Sequence, residues 1–268
     1  MSSRRGLAAA IVGLSVFALT WELAVRVFDI RPFVLLAPSD IVGELIAEPG
    51  RYLRASLVTG RHAVVGLALA VVVAVVIGSL MAASRFLEHA VQPILVLILV
   101  APWVAYFFSV VLWLGRGDPP VIFLVAFVTT PGFVFATVAG LRGADPAARE
   151  LLRSVDASRV EVLWRLRLPS ALPALFATAR FSAALALAAS YYGEGGNLAT
   201  VGLGYLGKVA GNAQNAPVLW STVLATVGLG VVFLTVIAAG ERWALRWHAS
   251  QRGDDVGPLA PGTNRSAS

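Results

Sequence analysis

The chain has 268 residues, of which 58% are hydrophobic and 13% charged, with a formal charge of +6, no cysteine and three histidines. That balance lies well outside the range of soluble domains and leaves an apolar surface that only a bilayer solvates. It excludes a disulfide framework, a thiolate metal site and a thiol nucleophile. The basic residues fall between apolar runs and form no aromatic-interleaved patch, so the positive charge points to a membrane surface and not to nucleic acid.

Six spans of about 20 residues would use nearly half of the chain and leave no room for a separate soluble domain. The first apolar run, 7–27, follows Arg4 and Arg5, but it is longer than a secretory h-region and leads into Trp21, Glu22 and Arg26 with no small-residue cleavage site. It predicts an uncleaved span after a short terminus, 1–6. Asp29 to His62 is polar enough for a loop, in which Ser39 would cap a short surface helix with Ile41, Val42, Leu45 and Ile46 on one face. The second span is 64–83, an almost unbroken valine, alanine and leucine sequence suited to lipid. The third, 90–114, contains Pro93 and Pro102, whose freed backbone groups need neighbours or cavity water. The turn Gly115-Arg116-Gly117-Asp118-Pro119 separates it from the fourth, 121–141. The fifth, 172–192, and sixth, 218–239, flank a glycine-rich loop. Trp243 and Trp247 beside Arg242 and Arg246 suit an interfacial anchor, closing a membrane domain at 7–248, and 249–268 has a disordered composition.

Between spans four and five, the loop 142–169 gathers Arg142, Arg149, Arg153, Arg159, Arg165 and Arg167. The positive-inside rule places it in the cytoplasm, together with both termini. Asp145-Pro146 reads as an N-cap and first helical position, Ser158 and Glu161 as a capping box for a second helix, and Pro169 as its end after Leu168. Two short helices at a sharp bend make a protrusion.

The stretch from Glu150 to Pro169, ELLRSVDASRVEVLWRLRLP, resembles the EAA loop of binding-protein-dependent ABC transporter permeases. Glu150, Ala157, Ser158, Arg159, Leu168 and Pro169 match the common loop. Leu151 and Leu152 replace its two alanines, Leu166 its isoleucine and Asp156 its glycine. Aspartate is among the few residues that adopt left-handed backbone and cap helices. Trp21-Glu22-Leu23, Pro38-Ser39, Leu112-Trp113-Leu114-Gly115 and Gly202-Leu203-Gly204-Tyr205-Leu206 look like the sulfonate, taurine and nitrate branch, which includes permeases for thiamine-precursor pyrimidines and riboflavin. The resemblance implies an all-α membrane protein of the type I ABC importer permease fold, with a cytoplasmic coupling loop (Glu150, Leu151, Leu152, Asp156, Ala157, Ser158, Arg159, Pro169). It implies a bacterial inner-membrane location, a second permease copy as a homodimer, two ATP-binding subunits and an extracytoplasmic solute-binding protein. ATP hydrolysis would belong to those subunits, with no cofactor, metal or catalytic residue here. A non-ATP-driven carrier or channel is the runner-up.

Gly202, Gly204 and Gly207 satisfy G-x-G-x-x-G, but without the preceding strand a phosphate loop needs. His62, His89 and His248 lack zinc-site spacing and sit near span ends. Glu22, Arg180 and Glu194 also lie near span ends, where caps or snorkelling account for them. Trp103, Tyr106, Phe107, Phe133, Tyr191 and Tyr192 suggest an aromatic path suited to a planar heterocycle, against the plainer role of helix packing. Spans one and two are expected at the periphery and three to six along the path.

Overall fold

The structure is a computed structural model that describes residues 2–32, 34–197 and 201–246. Among these residues every regular element is helical: α1 (Ser2–Val27), α2 (Pro38–Ala47), α3 (Pro49–Ala83), α4 (Arg85–Val100), α5 (Trp103–Leu114), α6 (Asp118–Arg142), α7 (Pro146–Ser154), α8 (Arg159–Val162), a π-helical segment (Leu163–Arg167), α9 (Leu168–Asn197), α10 (Leu203–Asn212) and α11 (Ala216–Ala244). Five helices are long and apolar enough to cross a membrane, and the pair α4 and α5 makes a sixth crossing if taken as one broken span. The expected all-α membrane architecture is therefore present. Trp247, His248 and the 249–268 tail lie outside the described residues.

Several boundaries differ from the sequence reading, each for a local reason. Residues 49–62, expected as loop, are the first turns of α3. Pro49 starts that helix where its missing N–H costs nothing, and Tyr52, Ala55, Thr59 and His62 recur at helical spacing on a buried face. At 35 residues the helix is about 50 Å long, so its first turns project beyond the apolar stretch 64–83. The continuous span expected over 90–114 is instead broken by 103° between α4 and α5. Pro102 pushes Ala101 into extended backbone (φ −63°, ψ 133°) and cannot donate, whereas Pro93 is accommodated inside α4. The helix expected to end before Pro169 does not end. It widens into the π segment and continues as α9, with Pro169 in its first turn. The glycine-rich loop contains α10.

Neither is span two peripheral. Ala63, Gly66, Ala70, Ala74 and Gly78 form a buried stripe of small residues along α3, and backbones so lined approach closely. A Cβ on Gly66 would lie 2.5 Å from the Val125 side chain, and one on Gly78 2.7 Å from that of Thr137, both on α6. At the loop end of the same bundle, a Cβ on Gly140 would lie 2.5 Å from the backbone of Ala171 on α9. Thus α3, α6 and α9 form the core, with one cluster around Phe107, Leu124, Val125 and Ala186 and another around Ala74, Met81, Leu95 and Phe133.

Peripheral placement does describe α1, of whose apolar window only 6% is buried. It is tied to the body near its end by Glu22, which accepts from the Ser39 backbone N–H (3.0 Å), the Ser39 hydroxyl (2.8 Å) and Arg26 (3.0 Å). Ser39 was expected to cap α2, yet the cap position is Ala37 and the carboxylate that satisfies the first turn comes from α1. Ile41 and Leu45 of α2 face inward, while Val42 and Ile46 are exposed.

Candidate functional site

Chemistry-bearing residues collect at the two ends of the bundle. At the loop end, the Asp145 carboxylate accepts from the Ala147 N–H at 3.0 Å and starts α7. That helix closes with Asp156 at φ 53°. The Ala157 N–H donates to Leu152 O (3.0 Å) and the Asp156 N–H to Arg153 O (3.1 Å), the paired bonds of a Schellman ending whose key residue is left-handed. Asp156 thus takes the conformation that makes glycine the usual residue there. The Ser158–Glu161 capping box is complete on both sides and begins α8, and Glu161 lies 4.0 Å from Arg165. Glu150, Ser158 and Arg159 are exposed, and Leu152, Ala157 and Pro169 partly so. Four large apolar side chains, Leu151, Val155, Val160 and Trp164, are 63–68% exposed on this protrusion. They leave a concentration of uncovered apolar surface on α7 and on the first turns that lead through the π segment into α9. At its base, the Arg142 guanidinium grips Glu88 through two bonds (2.7 and 2.6 Å), fixing the start of α4 against the end of α6.

At the far end lies a polar cluster that sequence reasoning passed over. His62 and Glu194, both 0% exposed, meet through Nδ1 and Oε1 at 2.8 Å. Nε2 of the same ring lies 3.0 Å from Oδ1 of Asp118, which is also paired with Arg61. The Thr59 hydroxyl donates to Oε2 of Glu194 (2.9 Å), as does the Gly204 N–H (3.0 Å), and the Leu203 N–H donates to the Thr59 oxygen (2.9 Å). Thus α3, α6, α9 and the first turn of α10 meet at one carboxylate. No group among the described residues is arranged to hold a metal ion; the two carboxylates sit on opposite ring nitrogens.

The same geometry explains the glycines. A Cβ on Gly202 would lie 2.1 Å from the Glu194 carboxylate, one on Gly204 1.8 Å from Tyr191 O, and one on Gly207 1.9 Å from the Tyr191 hydroxyl. The motif is the seat of α10 on α9. Among the three ionisable residues first set aside, Glu22 and Glu194 each satisfy the first turn of a short helix, and Arg180 pairs with Glu241.

The aromatics do not form one lining. Trp103 and Tyr192 meet edge to face at 5.4 Å, and Phe107 joins Tyr192 at 5.7 Å. Tyr106 stacks edge-on against Phe127, its buried hydroxyl without a partner among the described residues. Phe107 is fully buried, and Phe133 belongs to the separate cluster near Met81. Tyr191 faces α11, where its hydroxyl meets that of Thr222 at 2.9 Å.

A bundle of broken and unbroken apolar helices, long enough for five or six crossings, defines a multi-pass α-helical membrane protein. The family described as "binding-protein-dependent transport system inner membrane component" matches residues 74–244, well over half of the chain, and the protein belongs to it as a permease subunit of the ABC importer class. Two inward-facing structures of the MetNI methionine ABC transporter are similar in fold. The native crystal form has a TM-score of 0.63 at 19% identity over 72% of this chain and 95% of that one. The selenomethionine-soaked form has a TM-score of 0.64 at 18% identity, over 74% and 98% respectively. An amino acid ABC transporter crystallised with histidines gives 0.57 at 13% identity over 74% and 96%. No individually curated protein matches.

Proposed function

We propose that this chain is the translocating subunit of a type I ABC importer. It acts as a homodimer that receives a small solute from an extracytoplasmic binding protein and is driven by two ATP-binding subunits. The observation that carries this reading is the α7–α8 protrusion, with its left-handed Asp156 and exposed Leu151, Val155, Val160 and Trp164. A cleft on each ATPase would cover those side chains. The arginines of the loop orient it to the cytoplasm with both termini, so the His62 end faces outward. Hydrolysis of ATP is the partners' chemistry; this chain converts their closure into tilting of α9.

The solute favoured by this reading is an aromatic heterocycle such as riboflavin or a thiamine-precursor pyrimidine. Trp103, Tyr106 and Tyr192 remain half-buried and adjacent to the break between α4 and α5, with Phe107 packed behind them, whereas Phe133 and Tyr191 pack elsewhere in the bundle. The other branch substrates are an aliphatic sulfonate, taurine or nitrate. In proteoliposomes holding the full complex, Glu150→Lys should abolish ATP-driven uptake while leaving the permease folded; uptake that needs no ATP and ignores the change would establish a carrier. Labelled riboflavin, pyrimidine precursor and alkanesulfonate compared in the same vesicles identify the solute, and uptake of the sulfonate alone would overturn the aromatic assignment.

A further inference from the structure

The hydrogen bonds of the far-end cluster do not balance around a neutral histidine. Both ring nitrogens of His62 meet carboxylate oxygens, that of Glu194 at 2.8 Å and that of Asp118 at 3.0 Å. An ionised carboxylate only accepts, and a neutral imidazole has one N–H to give, so one contact would set a nitrogen lone pair against an oxygen lone pair. A second proton on the ring turns both contacts into charge-assisted donations. The charges then also balance, with Arg61 and His62 against Asp118 and Glu194. A neutral ring fails in either tautomer: with its proton on Nε2 the fully buried Glu194 carboxylate keeps only the Thr59 hydroxyl and the Gly204 N–H, a poor return for a charge withdrawn from water, and with its proton on Nδ1 the bare Nε2 faces the Asp118 oxygen at 3.0 Å.

No other charged group among the described residues replaces that proton. On α10, the Lys208 stem lies against Gly195, with the residue itself exposed. On α9, the Tyr191 hydroxyl is engaged by Thr222 of α11. On α2, Glu44 accepts from Tyr52 of α3 at 3.0 Å. The α5 helix presents Phe107 to this end of α9, and α4 meets α3 through the apolar cluster of Met81 and Leu95. All the clasp residues lie just beyond the apolar stretches 64–83, 121–141 and 172–192. The Asp118 side chain is 39% exposed while those of His62 and Glu194 are 0% exposed, so the proton has a route to solvent on one side only.

We propose that His62 holds a proton between Glu194 and Asp118, and that this proton, exchanged through Asp118, clasps α3, α6 and the α9–α10 hairpin into one body. The medium at the face opposite the coupling loop thereby acts directly on the bundle. Only the naming of that face as external rests on the orientation proposed above.

The full-length protein labelled with 15N-histidine in nanodiscs tests this without any transport measurement, since it has three histidines. The signal lost in His62→Gln should show two protonated ring nitrogens at about pH 7.5, where a free imidazole is mostly neutral. Assignment by elimination with His89→Gln and His248→Gln covers the case in which His62→Gln fails to fold. In Glu194→Gln, the amide N–H can donate to a neutral Nδ1 while its oxygen still accepts from Thr59 and Gly204. That variant should fold, show a singly protonated His62 ring at the same pH, and lose the decline in thermal stability that the wild type shows as pH rises through the His62 titration. A wild-type ring with one bare nitrogen at about pH 7.5, or wild-type stability that stays flat through that titration, overturns the proposal.

Discussion

Replacing Gly204 by alanine should unseat α10. The added Cβ would stand 1.8 Å from the carbonyl oxygen of Tyr191. Ordinary contact begins near 3.5 Å, so α10 must move by roughly 1.5 Å. The bonds it would stretch are short: Leu203 N–H to Thr59 at 2.9 Å and Gly204 N–H to Glu194 at 3.0 Å. A shift of that size carries both past the limit of useful hydrogen bonding. Losing one bond to an ionised carboxylate and one to a hydroxyl costs about 3 kcal/mol, and alanine's helix preference returns about 0.5–1 kcal/mol. The net loss is thus about 2–3 kcal/mol. It should appear as a lower thermal unfolding midpoint of the purified full-length protein and as faster hydrogen exchange at Leu203 and Gly204. Gly211 in the same helix has nothing within 4 Å of its missing Cβ, so Gly211→Ala should be at least as stable as the wild type, with only alanine's helix preference to add. If Gly204→Ala is as stable as Gly211→Ala and keeps those amides protected, the carbonyl contact does not hold α10 in place.

Gly78→Val should wedge α3 from α6 against Thr137, at 2.7 Å, and cost about 1–3 kcal/mol; Thr137→Ala in the same protein should recover part of the lost thermal stability. Asp156→Val forces a β-branched residue into φ 53° at about 1–2 kcal/mol, which should leave the bundle's unfolding midpoint unchanged but reduce ATP-driven uptake several-fold, whereas Asp156→Gly should preserve it. Glu22→Ala removes three hydrogen bonds at the exposed entry to α2 and should cost about 1 kcal/mol, read as faster exchange in that helix's first turn.

Local chemistry was legible in the sequence and long-range pairing was not. Asp145, the Ser158–Glu161 box and the tolerance of Asp156 for left-handed backbone depend on neighbours within a few residues, and all three expectations match the structure. Hydropathy located the cores of the spans, but it read residues 49–62 as loop because Arg51, Arg54, Arg61 and His62 lower the average without breaking a helix. The polar cluster was invisible for a related reason. Thr59 and His62 reach Glu194 across 135 and 132 residues, and no periodicity reports which apolar helices lie side by side. The available signal was the position of Thr59 and His62 on the same helical face as Tyr52 and Ala55, together with glycines on both sides of Glu194 and again at Gly202 and Gly204. Likewise Trp21-Glu22 and Pro38-Ser39, which looked like separate family markers, are two halves of one hydrogen-bonded joint.

The unbroken passage of α8 through the π segment into α9 gives the molecule a single rod from Arg159 to Gly196, 38 residues long, or about 57 Å. One end carries the exposed Val160 and Trp164 and the other carries Glu194. A torque applied at the first is therefore delivered mechanically to the second, with no intervening loop to dissipate it. The five-residue turn at Leu163–Arg167 is wider than an α turn, so the rod's winding can change there. Rewinding it to an ordinary α turn would advance everything beyond by one residue, a rotation of about 100°. The pitch of a single turn near the membrane surface thus sets which face of α9 looks toward α3 and which toward α11.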